Sequence, residues 1–262
     1  ELNPEDVCLT FDDSLLCQFE AALPVLDKYN LKAFWFVYSN VFEGQLEKME
    51  IYRIFRSKFF KNIDDFYNLF LKKVSDSEFS KKAEQVITGK DISKFKEQNA
   101  FYSTNDVKFR YIRDRALGKS GYEMIMDKII LEQGRNISDL SKDLWMSNEH
   151  LRKLTDCGHA VGLHSYSHPM VLNKLSYKEQ FKEYERNYLH IKKVCGGNPV
   201  SVSHPCNSYN EDTIKILNHF GIRVGFRSNM FPKLKGGEIN PNKFEIARQD
   251  HANIMRMLDN QR

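Results

Sequence analysis

The chain has 262 residues, of which 41% are hydrophobic, and its formal net charge is +4. This length allows one large hydrophobic core, or one core with a sizeable insertion. No apolar run approaches the roughly 18 residues of a membrane-spanning helix, and so small a charge gives no sign of a nucleic-acid surface. We therefore expect neither a transmembrane segment nor a nucleic-acid partner.

The cysteine pattern bears on the location of the protein. The cysteines are odd in number and show no Cys-x-x-Cys spacing; they are Cys8, Cys17, Cys157, Cys195 and Cys206. This pattern predicts reduced thiols rather than a disulfide framework or a zinc knuckle. Reduced thiols favour the cytoplasm, which is the predicted location. The sequence shows no signal peptide, although it begins without Met.

The amino-terminal segment predicts two strands joined by a helix. The apolar residues 7–11 predict a strand, and two adjacent carboxylates, Asp12 and Asp13, follow it. Apolar residues at helical spacing predict a helix over residues 15–26, and the run Ala-Phe-Trp-Phe-Val predicts a buried strand at residues 33–37. Taken alone, an Asp-Asp pair after a strand is often only a helix N-cap.

Residues 42–140 lack strand alternation and predict a helical insertion. Helical stretches are predicted at residues 46–60, 64–74, 80–87 and 120–131. The remaining residues, 1–41 and 141–262, then form one α/β unit. Because the insertion leaves the carboxyl end of a strand, we expect it beside the functional site. It would serve as a lid over the substrate pocket, or as a surface for homo-oligomerisation or another partner.

A basic, aromatic cluster lies within the predicted insertion. It consists of Arg110, Tyr111, Arg113, Arg115 and Lys119. Such a cluster is most often a solvated helix face. The alternative is a site for a phosphate or a sugar ring, for example in a nucleotide-linked or lipid-diphosphate-linked sugar.

The most informative segment follows the insertion. Residues 158–163 are too short and too glycine-rich for a helix and predict a strand that leads to His164, and His168 follows four residues later. In parallel α/β folds, functional groups converge at the carboxyl ends of strands, so we expect these histidines near Asp12 and Asp13. Two imidazoles and one carboxylate form a three-ligand set that leaves a divalent metal open to water.

The rest of the chain continues the alternation of strands and helices. The predicted elements are a helix at residues 176–194, a strand at 199–203, a helix at 211–220, and strands at 223–227 and 243–248. Such alternation predicts an α/β fold with parallel strands joined by right-handed crossovers.

These motifs give the chain a resemblance to polysaccharide deacetylases of the NodB-homology type, carbohydrate esterase family 4. Residues 10–13, Thr-Phe-Asp-Asp, match the family's T-F-D-D, and residues 164–169, His-Ser-Tyr-Ser-His-Pro, match H-S/T-x-x-H-P. The resemblance implies that Asp12 is the catalytic base. The metal ligands that it implies are Asp13, His164 and His168. It also implies a distorted, incomplete (β/α) barrel of about seven strands, and the large helical insertion is a departure from the family.

A third family motif is only partly present. Residues 203–209, Ser-His-Pro-Cys-Asn-Ser-Tyr, stand where the family has R-P-P-Y-G. The resemblance implies that Pro205 and the backbone N–H of Cys206 help to hold the oxyanion, a role that does not depend on the Cys206 side chain. His204 takes the position of the family's arginine, where it would line the pocket.

Two residues near the end of the chain complete the predicted site. Arg248 is the candidate that orients Asp12, by analogy with relatives that carry an arginine there; the alternative is an exposed arginine that closes a strand. His251, which follows Asp250, is the candidate general acid, because a histidine near a carboxylate can donate a proton to a leaving amine near neutral pH. The alternative for His251 is a surface histidine.

Together these residues imply a metal-dependent hydrolase that removes an N-acyl group, most commonly N-acetyl, from an amino sugar in a surface glycan or its precursor. The expected cofactor is one divalent metal ion, with zinc favoured and manganese, cobalt, nickel or iron compatible with the same ligands. The expected substrate is an N-acylated sugar that is free, lipid-linked, nucleotide-linked or polymeric. Two alternatives stay open: a deformylase or other amide hydrolase of the same fold, and a catalytically weak glycan-binding or scaffold protein.

Overall fold

The computed structural model describes residues 7–88, 103–231 and 237–259. The chain divides into two compact units, one made of Glu1–Leu46 and Asp143–Arg262 and the other of Glu47–Lys142. We call the first the α/β unit and the second the helical unit. Residues 89–102, which belong to the predicted insertion, lie outside the described residues.

The α/β unit contains one parallel sheet. Its five strands lie side by side in chain order: β1 Leu9–Phe11, β2 Ala33–Val37, β3 Ala160–Leu163, β4 Ser201–Ser203 and β5 Val224–Phe226. Every neighbouring pair is parallel, so each connection crosses over the sheet. The strands form a curled, incomplete barrel, and the predicted fold class is confirmed. Five strands lie within the described residues, where about seven were expected.

The strand predicted at residues 243–248 is reduced to a single bridge. Within this segment Ile246 makes the one β-bridge to β5, in parallel with Phe226. Asn242 interrupts the strand, because its side-chain oxygen accepts a hydrogen bond from Phe244 N and its carbonyl accepts one from Glu245 N. Both N–H groups are used in this turn and cannot extend a strand ladder.

Eleven α-helices of five or more residues lie within the described ranges. In chain order they are α1 Leu16–Lys28, α2 Lys48–Phe59, α3 Ile63–Ser75, α4 Ser80–Thr88, α5 Thr104–Tyr111, α6 Gly118–Glu132, α7 Ile137–Ser141, α8 Asn148–Asp156, α9 Tyr177–Cys195, α10 Glu211–His219 and α11 His251–Asp259. Helices α2 to α7 belong to the helical unit. Helical spacing predicted α1 to α4, α6, α9 and α10, whereas α5 falls between the stretches predicted within the helical insertion and α11 lies where no helix was predicted.

The core of the α/β unit lies between the sheet and its helices. Trp35, Leu163 and Val202 of the sheet are fully buried and belong to one cluster with Leu151 of α8 and Ile216 of α10. Each such side chain stabilises the fold by about 1.5–3 kcal/mol through burial. This packing holds the sheet strands in place, so that their carboxyl ends share one edge.

The helical unit has a hydrophobic core of its own. Its fully buried members include Tyr52, Phe55, Phe66, Phe70, Ile112 and Ile129. A π-helical turn, Ile112–Leu117, follows α5 directly and leads into α6. Several of these core residues come from helices that the spacing predicted, so the aromatic residues of the insertion have a structural role.

The predicted basic cluster makes several contacts within the helical unit. Arg113 Nε lies 2.6 Å from a carboxylate oxygen of Asp114, and the Arg115 guanidinium lies 4.3 Å from the centre of the Tyr111 ring. Arg110 pairs with the carboxylate of Asp106 on the preceding turn of α5. Binding of a phosphate or a sugar ring by this cluster stays a prediction.

Two predictions from the sequence composition concern membrane-spanning helices and the state of the cysteines. No helix within the described ranges combines the length and the hydrophobicity needed to cross a lipid bilayer. Cys8, Cys17, Cys157 and Cys195 carry free thiols.

Candidate metal centre and active site

The predicted site residues lie at the carboxyl ends of three strands. Asp12 and Asp13 follow β1, His164 follows β3, and His204 follows β4. The chain turns sharply after β1, where Asp13 has a φ of 75°. Such backbone conformations are costly for residues other than glycine and are common at functional sites. The turn brings the carboxylate of Asp13 toward the end of β3.

Asp13, His164 and His168 form a cluster that could hold a metal ion. Oδ1 of Asp13 lies 3.3 Å from Nε2 of His164 and 3.4 Å from Nε2 of His168. One potential ligand atom from each residue lies within 4.8 Å of the others. Ligand atoms bonded at about 2.0–2.1 Å around a tetrahedral zinc ion are roughly 3.3 Å apart, so the observed distances fit such an ion.

Hydrogen bonding orients the buried His164 ring. Its Nδ1 lies 2.8 Å from the carbonyl oxygen of Ser203, so Nδ1 carries the proton and donates it, and Nε2 is left with a lone pair facing Asp13. Metal-binding histidines usually have such a partner on the second ring nitrogen. Burial opposes protonation of His164, but the charges of Asp12 and Asp13 outweigh it and raise the pKa of the imidazole. The same negative charge stabilises a bound cation.

Asp12 is held by a two-point ion pair with Arg248. Nη1 of Arg248 donates to Oδ1 of Asp12 at 2.8 Å, and Nη2 donates to Oδ2 at 2.6 Å. The hydroxyl of Ser203 also donates to Oδ2 at 2.9 Å. Burial alone would raise the pKa of Asp12, but the hydrogen bonds and charge of Arg248 and the charge of His164 hold it below its ordinary value. Asp12 therefore remains an ionised carboxylate at neutral pH.

Arg248 is itself fixed on several sides. Its Nε donates to the carbonyl oxygen of Arg227 at 2.6 Å, and Nη1 also donates to the hydroxyl of Thr10 at 3.0 Å. Only 15% of its side chain is exposed. Arg248 is therefore not the exposed strand-closing arginine of the alternative interpretation. A role in catalysis stays a prediction.

The third motif forms a short turn after β4. His204 is buried, its Nε2 lies 2.8 Å from the carbonyl oxygen of Phe244, and its ring stacks on Tyr209 at 4.0 Å. Burial lowers the pKa of His204 to about 4, so the ring is neutral at physiological pH. Pro205 is buried, whereas Cys206 has an exposed side chain and a φ of 50°. The pocket-lining role of His204 and the oxyanion roles of Pro205 and Cys206 stay predictions.

His251 has a different setting from the one expected. It is the first residue of α11 and is exposed to solvent. The carboxylate of Asp250 accepts hydrogen bonds from Ala252 N at 2.7 Å and from Asn253 N at 3.3 Å, so it caps the amino terminus of α11. Asp250 thus stabilises the helix, and the general-acid role of His251 stays a prediction.

A cavity of about 440 Å³ adjoins Arg248. It lies between the loop of residues 228–231 and helix α11, and its lining includes Gln249, Asn253 and Phe231. The side chain of Phe231 is 77% exposed, so its ring is accessible. Amide groups beside an accessible aromatic ring offer hydrogen bonds and an apolar face to a ligand.

Three residues that support the site were not assigned a role from the sequence. Ser203 bonds to Asp12, whereas Glu183 and Asn187 of α9 bond to the segment that carries the histidines. The only available signal was positional: Ser203 occurs at the end of a predicted strand, directly before the third motif. Nothing in the local sequence distinguishes Glu183 from the other acidic residues of its helix.

Comparison with known proteins shows the family of the chain. The family model described as polysaccharide deacetylase matches residues 1–57 and 132–225, which is more than half of the chain. The chain belongs to the polysaccharide deacetylase family. The matched ranges include Asp12, Asp13, His164 and His168 and omit most of the helical unit. No curated protein matches the chain significantly.

Solved structures give a similar picture of the fold. The deacetylase domain of BpsB from Bordetella bronchiseptica has a TM-score of 0.50 at 14% identity, with 94% of this chain and 71% of that chain covered. Streptococcus pyogenes deacetylase PplD, solved with acetate, has a TM-score of 0.45 at 16% identity, with 87% and 59% covered. BA3943 from Bacillus anthracis, described as a CE4 family pseudoenzyme, has a TM-score of 0.41 at 13% identity, with 84% and 42% covered. The chain thus spans less than two thirds of the latter two proteins.

Proposed function

We propose that the protein is a metal-dependent hydrolase that removes the acetyl group from an N-acetylated amino sugar in a surface glycan or its precursor. The observation that carries this proposal is the ionised Asp12, held by Arg248, directly beside the cluster of Asp13, His164 and His168. A protein that only bound a glycan would have no need of a positioned base next to a metal site. A partly buried carboxylate with a strongly perturbed environment is typical of catalytic sites.

The metal would be held by Asp13 and the two histidines. Zinc suits this donor set best, and manganese, cobalt, nickel or iron would also be accepted. When bound, such an ion makes a water molecule more acidic and polarises the acyl carbonyl. His164 is already oriented for this role by the carbonyl of Ser203.

Asp12 is the proton acceptor in this proposal. Its carboxylate takes the proton of the attacking water, and the ion pair with Arg248 keeps it ionised and fixes its orientation. The backbone N–H of Cys206, in the turn that begins at Pro205, donates to the developing oxyanion. His251 then donates a proton to the leaving nitrogen. These assignments follow the family resemblance and the position of each residue in the chain.

The substrate is expected to extend into the cavity beside Arg248. Asn253 and Gln249 would bind sugar hydroxyl groups, and the exposed ring of Phe231 would pack against an apolar sugar face. The sugar is free, lipid-linked, nucleotide-linked or polymeric. The helical unit would serve as a lid or as a surface for homo-oligomerisation, and in this role it would influence which of these forms binds. Because the cysteine pattern predicts reduced thiols, we retain the cytoplasm as the proposed location.

A release assay tests the proposed function. We expect the zinc-loaded protein to release acetate and a free amine in equal amounts from one class of N-acetylated sugar. The panel contains free, oligomeric, lipid-linked and nucleotide-linked sugars, with N-formyl analogues beside them. Release of formate alone would favour the deformylase alternative. No release from any compound by a protein that has bound metal would contradict the proposed activity and favour a glycan-binding protein.

Replacing Arg248 tests whether it orients Asp12. We expect Arg248→Ala to lower kcat by about 10²-fold, because a misplaced catalytic group costs about that much. Metal affinity should change little, since Arg248 does not contact the predicted ligands in the described hydrogen bonds. Arg248→Lys should be intermediate, because lysine keeps the charge but not the two-point geometry.

The control for this prediction is Arg223→Ala. Arg223 is an exposed arginine just before β5. Steady-state kinetics and a metal titration are measured for all three variants. A wild-type kcat in Arg248→Ala would show that Arg248 has no role in orienting the base.

A further inference from the structure

The segment that carries both histidines has a strained backbone. Ser165 has a φ of 64° and His168 a φ of 52°. Each such conformation costs roughly 1–3 kcal/mol for a residue other than glycine, unless the surroundings hold it in place. Within the segment, the hydroxyl of Ser165 accepts a hydrogen bond from His168 N at 3.1 Å. The arrangement that brings both imidazoles to Asp13 therefore depends on contacts from outside the segment.

Glu183 of α9 provides three of these contacts. Its Oε2 accepts hydrogen bonds from Tyr166 N at 3.0 Å and from Ser167 N at 2.8 Å. Its Oε1 accepts a hydrogen bond from the Ser167 hydroxyl at 2.8 Å. Hydrogen bonds to an ionised carboxylate are stronger than those between neutral groups. One carboxylate thus fixes two consecutive peptide groups directly before His168.

Asn187 lies one helical turn further along α9, on the same face. Its side-chain oxygen accepts a hydrogen bond from His164 N at 2.9 Å, and its amide group donates to the carbonyl oxygen of Val37 at 2.9 Å. Asn187 is fully buried. It therefore ties the first histidine to the end of β2, whereas Glu183 fixes the approach to the second.

The opposite side of the same segment is held by backbone groups. The carbonyl oxygen of Tyr166 accepts hydrogen bonds from Ser39 N at 3.1 Å and from Asn40 N at 2.9 Å. The peptide groups around Tyr166 are thus held on one side by the chain after β2 and on the other by Glu183. The hydrogen bonds from Ser39 N and Asn40 N come from the backbone and do not depend on a side chain. The hydrogen bonds to the Glu183 carboxylate can be removed by mutation.

We infer that Glu183 is a positioning residue of the metal centre. Its carboxylate fixes the backbone between the two histidines, so that His168 Nε2 lies 3.4 Å from Asp13. This inference rests on the proposed function, because it treats Asp13, His164 and His168 as metal ligands. Helix α9 contributes no predicted ligand. Under this inference it nevertheless controls the affinity and geometry of the metal site.

Metal binding to Glu183 variants tests this inference without any need for activity. Metal-free protein is titrated with zinc by calorimetry, and the absorption spectrum of the cobalt-substituted protein reports the ligand geometry. We expect Glu183→Ala to weaken zinc binding on the order of tenfold or more, and to change the cobalt spectrum, because supporting partners of ligands have effects of this size. Glu183→Gln should restore most of the affinity, because its amide oxygen can accept both backbone hydrogen bonds and the Ser167 hydroxyl can rotate to accept one.

The matched control is Glu185→Ala on the same helix. Among the residues that the structure describes, the side chain of Glu185 makes no hydrogen bond or ion pair, so this variant should bind zinc like the wild type. Circular dichroism and thermal unfolding check that each variant is folded. If Glu183→Ala does not fold, Glu183→Asp replaces it, because its shorter carboxylate cannot keep all three hydrogen bonds.

The possible outcomes separate this inference from the proposed function. A wild type that binds zinc, together with a folded Glu183→Ala variant of unchanged affinity and cobalt spectrum, would overturn the inference and leave the proposed function intact. Equal weakening in Glu183→Ala and Glu185→Ala would also overturn it, since the effect would not depend on the histidine segment. A wild type that binds no divalent metal would overturn both.

Discussion

Asp12→Asn is expected to lower kcat by about 10²–10⁴-fold, the contribution of a general base, while metal stoichiometry remains that of the wild type. Asparagine has nearly the shape of aspartate but cannot accept a proton from water at neutral pH. The predicted ligands Asp13, His164 and His168 are unchanged in this variant. Loss of turnover with retained metal is therefore the expected combination.

The matched control is Asp156→Asn. Asp156 is an exposed aspartate at the end of α8, and substitution there removes the same charge outside both motifs. Turnover of the best substrate and metal content by elemental analysis are measured for both variants. Undiminished turnover in Asp12→Asn would remove Asp12 as the base.

The Asp12→Asn variant also leaves Arg248 without its carboxylate partner. Breaking a buried ion pair by changing one partner commonly costs about 3–5 kcal/mol, and the Arg248 side chain is only 15% exposed. Thermal unfolding must therefore accompany the kinetics. A variant that stays folded and binds metal but does not turn over substrate isolates the chemical role of the carboxylate.

The proximity of Asp13, His164 and His168 was predictable from the sequence. Apolar runs before Asp12 and before His164 predicted two strands, and the strand-helix alternation predicted that these strands are parallel. In such a sheet the carboxyl ends share one edge, so residues about 150 positions apart were expected to lie together. The measured distances from Asp13 to His164 and His168 agree with that expectation.

The hydrogen bonds that hold the site residues in place could not be predicted from the sequence, for physical reasons. Glu183 lies on α9, a helix rich in charged residues, and only the packing of that helix decides which carboxylate reaches the histidine segment. Ser203 likewise needs the three-dimensional neighbourhood of Arg248 and Asp12 to reveal its role. Local periodicity encodes the type of an element but not its distant hydrogen-bond partners.

The shortened last strand and the unforeseen helix α11 have a common cause. Asn242 uses the backbone N–H groups of the two residues that a strand would have needed, and Asp250 caps the amino terminus of α11. In both cases a short polar side chain binds the nearby backbone. Asn and Asp commonly compete with regular structure in this way, and apolar patterning does not register it.

His168→Ala and His164→Ala are expected to weaken zinc binding more than about hundredfold, beyond the effect of losing a supporting partner. Each removes one of three predicted protein ligands, and two ligands do not hold a catalytic zinc ion firmly. The two variants should differ in stability. His164 is buried and bonds to the carbonyl of Ser203, so its loss leaves a cavity and a carbonyl without this donor. The side chain of His168 is 17% exposed, so its loss should disturb the fold less.

The measurement for these variants is metal content after dialysis, together with calorimetric titration and thermal unfolding. His219→Ala is the control, because His219 is an exposed histidine at the end of α10 and should leave metal binding unchanged. His168→Ala is the more decisive variant. If it stays folded but loses its metal, the loss is due to the missing ligand and not to a disturbed core. Stoichiometric metal in both His164→Ala and His168→Ala would contradict the ligand assignment. Asp13 would then need other partners, and the proposed chemistry would lose its metal site.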